Sequence, residues 1–375
     1  MSGPRYFPYA DGVGILRTGL RPLAEADWIE PGADLAERLV TKAELLAARR
    51  NDVLRWVAGS EDAQSEVLSM LAEHLPRCHP TLYARAGDTI ELTLAGVPAL
   101  RVDVVRPQSP ALASAGSLVA EDLCILEPRG DAYELTAAVL CAPSYWLLGE
   151  KIGRSLGDVH VPVPGYAPEL AARVARLFTS LRVDKPVWRA NWSITNSPKL
   201  FQPSRDEPDD QASGAVSEAN AGTAAYVRVE RQTLRRLPRT GAVLFTIKVY
   251  VDPLERLRVH PEMARALADA VGALSPAEIE YKGMQSMREP VLRYLAAIGT
   301  GAAAIVLLVA PEAHAYVDPG AGSYFVQIVV AAIAGAALTV RTLWSRLRAS
   351  LDRARRGRAI EESGDDDERS RRDAR

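Results

Sequence analysis

The chain has 375 residues, a formal net charge of −2 and three cysteines, Cys78, Cys124 and Cys141. That length suits about two domains, and the balanced charge gives no bulk field to attract nucleic acid, which is excluded as a partner. Three cysteines without C-x-x-C spacing provide neither a disulfide framework nor the four thiolates of an iron–sulfur cluster, and they point to a reducing compartment.

The first forty residues carry Pro4, Pro8, Pro22 and Pro31 and read as an extended arm over a core, anchored by Leu20 and Trp28. Thr41, with Glu44 three residues on, predicts a helix start, and the apolar spacing through Leu45, Leu46, Val53, Leu54 and Val57 extends it. A second helix is predicted over Ala63–Leu75. The period then changes to two: Thr81–Ala86, Thr89–Leu94, Ala99–Val105, Leu118–Leu126 and Tyr133–Cys141 read as five strands in succession, hence mainly antiparallel.

Ala142 to Tyr166 joins an apolar segment to a rigid loop. Tyr145, Trp146, Leu147, Leu148, Ile152 and Leu156 have helical spacing, with Lys151 and Arg154 facing outwards. Pro162 and Pro164 stiffen the following residues into a non-helical arm that carries His160. An imidazole on a rigid mount is suited to hold a metal or haem, and equally to bond a nearby backbone group. A helix over 167–181 follows.

Val187–Ile194 is a short aromatic strand with Trp188, Arg189 and Trp192, and the polar stretch from Ser204 to Gly222 reads as a loop. Tyr226–Leu237 and Ala242–Val251 form a long hairpin around Arg239-Thr240-Gly241. Alternation puts Arg228, Glu230 and Gln232 on one face and Val227, Val229, Arg231 and Thr233 on the other. Arg231 among valines needs a buried carboxylate, either from the protein or from a haem propionate.

Pro261–Leu274 is predicted helical. Beyond Arg293 the composition turns apolar: Tyr294–Ala310 and Pro319–Val340 are charge-free, and arginines from Arg341 to Arg358 follow. This predicts an α-helical transmembrane hairpin over 296–345 with both ends cytoplasmic, then a charged, disordered tail over 346–375. Met287–Ala315 also has the form of a signal peptide, which suggests fusion of a once separate membrane protein. Gly299-x-Gly301-x-x-Ala304 matches a dinucleotide fingerprint only loosely. It follows no strand, so it reads as small-residue helix packing.

The stretches GLRPL (19–23) with Asp27-Trp28, EDLCILEP (121–128), APSYWLLGEKIG (142–153), HVPVPGY (160–166), PVWRANWSI (186–194) and RVERQTLRRLPRTGAVLFTIKVYVDPL (228–254) resemble the haem-dependent oxidative N-demethylase family. The resemblance covers residues 1–295 and implies an α+β fold, a PAS-like antiparallel sheet with flanking helices. It further implies haem b as cofactor, with His160 as the iron ligand and His79 as the alternative. Arg231 and Arg189 would hold propionates, and Trp188, Trp192 and Tyr226 would wall a pocket. Glu230, with Tyr226, would orient the amine or relay protons. The expected reaction takes a methyl group from a small methylated amine of the dimethylamine kind using O₂, with electrons from a partner reductase carrying FMN, an iron–sulfur cluster and NAD(P)H, and releases formaldehyde. A haem-binding sensor and a non-catalytic scaffold are the alternatives. The hairpin would put the protein at the inner (cytoplasmic) membrane with its catalytic domain in the cytoplasm.

Overall fold

The computed structural model describes residues 4–11, 19–107, 110–130, 132–161, 168–204 and 214–308. In chain order the elements are β1 (Arg21–Pro22), α1 (Leu35–Ala48), α2 (Arg50–Val53), β2 (Leu54–Trp56), α3 (Glu61–Cys78), β3 (Tyr83–Ala86), β4 (Thr89–Leu94), β5 (Val97–Asp103), α4 (Ala111–Gly116), β6 (Asp122–Arg129), β7 (Ala132–Val139), α5 (Leu148–Lys151), α6 (Leu156–His160), α7 (Pro168–Ser180), β8 (Val187–Thr195), α8 (Ala221–Ala224), β9 (Tyr226–Arg236), β10 (Val243–Pro253), α9 (Pro261–Gly272), α10 (Pro276–Tyr281) and α11 (Arg288–Leu308). Met1–Val306 forms one compact unit.

The fold is mixed α+β with antiparallel sheets and flanking helices, as expected. The five predicted strands divide between two sheets: β3, β4 and β5 form a small meander, whereas β6 and β7 join a seven-stranded sheet of order β1-β8-β9-β10-β6-β7-β2. Its centre is the β9–β10 hairpin, whose eleven-residue strands pair from Tyr226↔Pro253 to Arg236↔Val243. Gly241, with φ +71°, follows the turn that only a residue without Cβ enters freely.

Side chains alternate across this sheet, so its two faces bury different sets. One face carries Trp188, Trp192, Val227, Val229, Leu244 and Ile125, packed under the N-terminal arm and helices α1, α3, α9 and α11. The other carries Leu234, Val243, Ile247, Val249, Cys124 and Leu126, covered by Leu148 of α5, Leu156 of α6 and Phe178 of α7. Burial on both faces makes this the central layer of the fold.

Several local expectations are corrected. Helix α1 starts at Leu35, not Thr41, and the Thr41 hydroxyl donates to Glu37 O inside the helix rather than capping it. Leu54–Trp56 is an edge strand paired with β7, although its apolar residues continued a helical spacing. The predicted helix after Ala142 breaks into α5 and α6, and Tyr145 before it has φ +61°, left-handed and outside any helix. Trp28 is an arm anchor as expected, 1% exposed, with the Arg235 guanidinium 4.4 Å from its ring centre.

The first apolar C-terminal run enters α11, where Val291, Tyr294 and Leu295 are buried in the core. Among the described residues no helix is long and apolar enough to cross a membrane. The second apolar run, the part of the expected hairpin beyond Leu308 and the tail lie outside the described residues, as does the arm over 162–167.

Candidate functional site

Parity along β8 and β9 sorts the expected site residues into two groups. Asn191 stands opposite Glu230 and Arg189 opposite Gln232, so these side chains share one face, with Arg228 and Tyr226 two and four residues back along β9. Ala190 stands opposite Arg231, and Trp188 and Trp192 share that second face. Trp188, Trp192 and Arg231 are therefore on the side of the sheet opposite Glu230, Arg189 and Tyr226. The separation of Glu230 from Arg231 follows the alternation read from the sequence, whereas of the three residues expected to wall one pocket, Trp188 and Trp192 share one face and Tyr226 lies on the other.

Arg231 has a protein carboxylate for a partner. Its Nε lies 3.3 Å from Glu30 Oε1, and its terminal nitrogens donate to the carbonyls of Asp27 and Trp28. Glu30 also accepts from Tyr6 (2.6 Å), Tyr250 (2.5 Å) and Arg5 (3.1 Å), and Lys248 donates to its backbone carbonyl. Burial, followed by the bond to Glu30, pushes the Tyr6 hydroxyl up to about 12 and raises Tyr250 as well. Of the two partners open to Arg231 on the sequence, the structure supplies the internal one, and the network fastens the N-terminal arm to the sheet.

The Glu230 side differs. Glu230 accepts 2.5 Å from Ser144 Oγ and 2.9 Å from Gln232 Nε2, both neutral donors. Four cations, the buried Arg228 and Lys282 and the half-buried Lys151 and Arg189, lie within its electrostatic reach, and desolvation lowers the pKa of every one, that of Lys282 to about 8. Arg228 is fully enclosed and satisfied: it donates to Ser144 Oγ (2.9 Å) and to the carbonyls of Ala142, Pro143, Lys199 and Leu200. It thereby holds the turn that leads into the left-handed Tyr145, whose hydroxyl sits 3.0 Å from Thr195 Oγ1. Lys151 lies 4.3 Å from the Trp146 ring centre. Among the described residues Arg189 has no hydrogen bond or ion pair, and its Nε is buried without an acceptor. An orphaned buried guanidinium is costly unless an anion comes to it.

His160 is the last residue of α6, on the same side of the sheet. It stands on a helical turn capped by Ser155, whose Oγ accepts from Asp158 N, rather than on a wholly extended arm. Its Nδ1–H donates to Leu156 O at 2.8 Å. That bond selects the tautomer whose Nε2 carries the lone pair, the arrangement seen where histidine ligates a metal. Burial lowers its pKa, and Lys151 and Arg189 lower it further, so the ring is held neutral. His79 is elsewhere: its Nε2 lies 3.0 Å from Ile29 O, beside the rings of His74 and Tyr83. Among the described residues no three His, Cys, Asp or Glu side chains gather as a metal site, so a metal here would rest on few protein ligands.

A family model described as haem-dependent oxidative N-demethylase, alpha subunit-like, matches residues 19–292. The chain belongs to this family. The matched span contains the Glu230 network, the Glu30 network apart from Arg5 and Tyr6, the whole seven-stranded sheet and α6, and it ends within α11. Haem fits the residues on the Glu230 side. A neutral imidazole with an oriented tautomer stands there, Ile152, Leu156, Ile247 and Val249 belong to the apolar cluster on that side, and the surplus of cations, with Arg189 Nε lacking an acceptor among the described residues, suits a group bearing two carboxylates. Sequence reasoning missed Lys151, Lys282, Ser144 and Arg228 as parts of this site. Lys151 looked like an outward residue on an unbroken helix, and Lys282 carried no local signal because α10 reaches the site only through tertiary packing.

Proposed function

We propose that the chain catalyses haem-dependent oxidative N-demethylation of a small methylated amine, with O₂ as oxidant and electrons from a separate reductase, releasing formaldehyde. The observation that carries this reading is the half-buried pair Arg189 and Lys151 beside His160, with Arg189 Nε buried and lacking an acceptor among the described residues, in a chain of this family. His160 would hold the iron through Nε2, with its Nδ1–H anchored on Leu156 O. Arg189 and Lys151 would take the propionates. When bound, haem activates O₂ so that a methyl carbon is carried to the aldehyde level.

The chain's own contribution is binding and charge. Two propionates would offset two of the positive charges that face Glu230 and leave its carboxylate able to hold an ammonium group or to accept a proton. Ser144 and Gln232 fix that carboxylate from two sides, and Arg228 fixes Ser144 in turn. Tyr226 lies four residues back on the same face of β9. The apolar residues of α5 and α6 exclude water, which strengthens each of these interactions.

The test is formaldehyde release by the reduced, haem-loaded full chain given dimethylamine and O₂. Formaldehyde formed in step with amine consumption is the expected result. Stable haem binding with no formaldehyde, with or without a reductase partner, would instead support a sensor. The C-terminal apolar runs would tether the enzyme to the inner membrane with the catalytic unit in the cytoplasm, which fractionation of the full chain checks.

A further inference from the structure

Beyond Trp188, the described residues leave one edge of β8 without a strand partner, since β1 pairs only at Trp188 and Val187. A cavity of about 440 Å³ opens along that edge, between β8 and the pair α9 and α10. Its apolar wall is Ala266, Ala270, Ala273 and Leu274, with Tyr9 and Trp192 in edge-to-face contact beside it. His160 is not part of the lining.

Lys282 reaches this cavity from the end of α10 and is 6% exposed. Its ammonium donates to Trp192 O at 2.5 Å and lies 4.7 Å from the Trp192 ring centre. One carbonyl serves one of its three N–H donors, and no other acceptor for it is found among the described residues. Arg189 lines the same cavity and has no hydrogen bond or ion pair among the described residues. Two acids also border the space. Glu278 is occupied by the amide and hydroxyl of Ser275 in the cap of α10, and Asp269 is exposed on α9. Neither forms an ion pair with Lys282 or Arg189. The side of the cavity where Lys282 and Arg189 lie near each other is therefore cationic and would attract an anion.

We propose that this cavity binds a free small carboxylate, its anionic end held by Lys282 and the adjoining side of Arg189 and its apolar body lying on the alanine wall of α9. The site stands apart from His160 and does not depend on that residue's role. Arg189 is the wall the two sites share, so a bound acid would be felt at the His160 side through its guanidinium.

Benzoate and its uncharged isostere benzamide are the probes, titrated calorimetrically into the full chain as purified and after haem loading. Benzoate should bind at least tenfold more tightly than benzamide in both forms. Lys282→Met should abolish that preference and leave benzamide affinity unchanged, while Lys282→Arg should retain it. Equal affinity of the two probes for the unaltered chain would overturn the proposal, a result that needs no variant to fold. Full preference in Lys282→Met would overturn it too. Benzoate binding confined to the haem-free chain would also overturn it, because the carboxylate would then be haem's own propionate.

Discussion

Two carboxylates, Glu30 and Glu230, stand on opposite faces of the same sheet, each beside buried arginine and lysine, and only one of the two groups is complete. Around Glu30 every charged member has a partner: Arg231, Arg5, Tyr6 and Tyr250 converge on the carboxylate, and Lys248 takes the carbonyl. Around Glu230 the direct donors are a serine and an amide, and Arg189 Nε has no acceptor among the described residues. A balanced buried network holds a fold together, whereas an unbalanced one of the same composition marks where something else must bind. The comparison assigns stability to the Glu30 side and ligand binding to the Glu230 side.

The largest effect should come from breaking the complete network. Arg231→Met removes the buried guanidinium beside Glu30 and leaves the carboxylate with two hydroxyls and the exposed Arg5, a loss of about 3–5 kcal/mol by analogy with other broken buried pairs. The expected result is a lower urea midpoint, with haem affinity per folded molecule unchanged. A chain of unaltered stability that loses haem would reverse the assignment of the two faces.

Next in size is a pH effect on the arm side. Burial holds His74 down at about 4, against an ordinary value near 6.5. Below pH ~6.5 the unfolded chain therefore binds a proton that the folded chain does not, and stability falls as pH drops until the folded ring also protonates near 4. The full span corresponds to roughly 3 kcal/mol. Chemical denaturation at pH 7 and pH 5 should show the decline, and His74→Gln should flatten it.

The smallest effect on stability carries the sharpest contrast. Arg189→Met removes a half-buried guanidinium whose Nε has no acceptor among the described residues, so the haem-free chain should be unchanged or more stable by about 1 kcal/mol. Haem affinity in the same variant should fall at least tenfold. Thermal denaturation and haem titration of one sample check both halves, and a destabilised chain with normal haem affinity would make Arg189 a structural residue.

Much of this arrangement was legible in the sequence. The period-two pattern of Tyr226–Leu237 separated Glu230 from Arg231 before any coordinates, and the structure keeps that separation. The same parity, carried to VWRANWSI, divides Arg189 from Trp188 and Trp192, but which half joins Glu230 depends on the β8–β9 register, a long-range pairing with no local signature. The partner of Arg231 was likewise invisible: Glu30 lies far away along the chain and reaches it only because the arm folds over the sheet. The break between α5 and α6 followed no helix-stopping residue that spacing alone revealed, since Leu148, Ile152 and Leu156 continue the helical period through Gly153, which adopts φ +74°. Within the arm, Trp28 was recognisable as an anchor because a lone tryptophan among prolines and acids has few other uses.

The most direct test of the account is the absorption spectrum of the haem-supplemented full chain beside that of His160→Ala. The account predicts a Soret band at one haem per chain in the unaltered protein, and its loss or a shift to weakly held, non-ligated haem in the variant. An identical stoichiometric band in the two proteins would remove His160 as the iron ligand, and with it the assignment of the Glu230 face as the haem site.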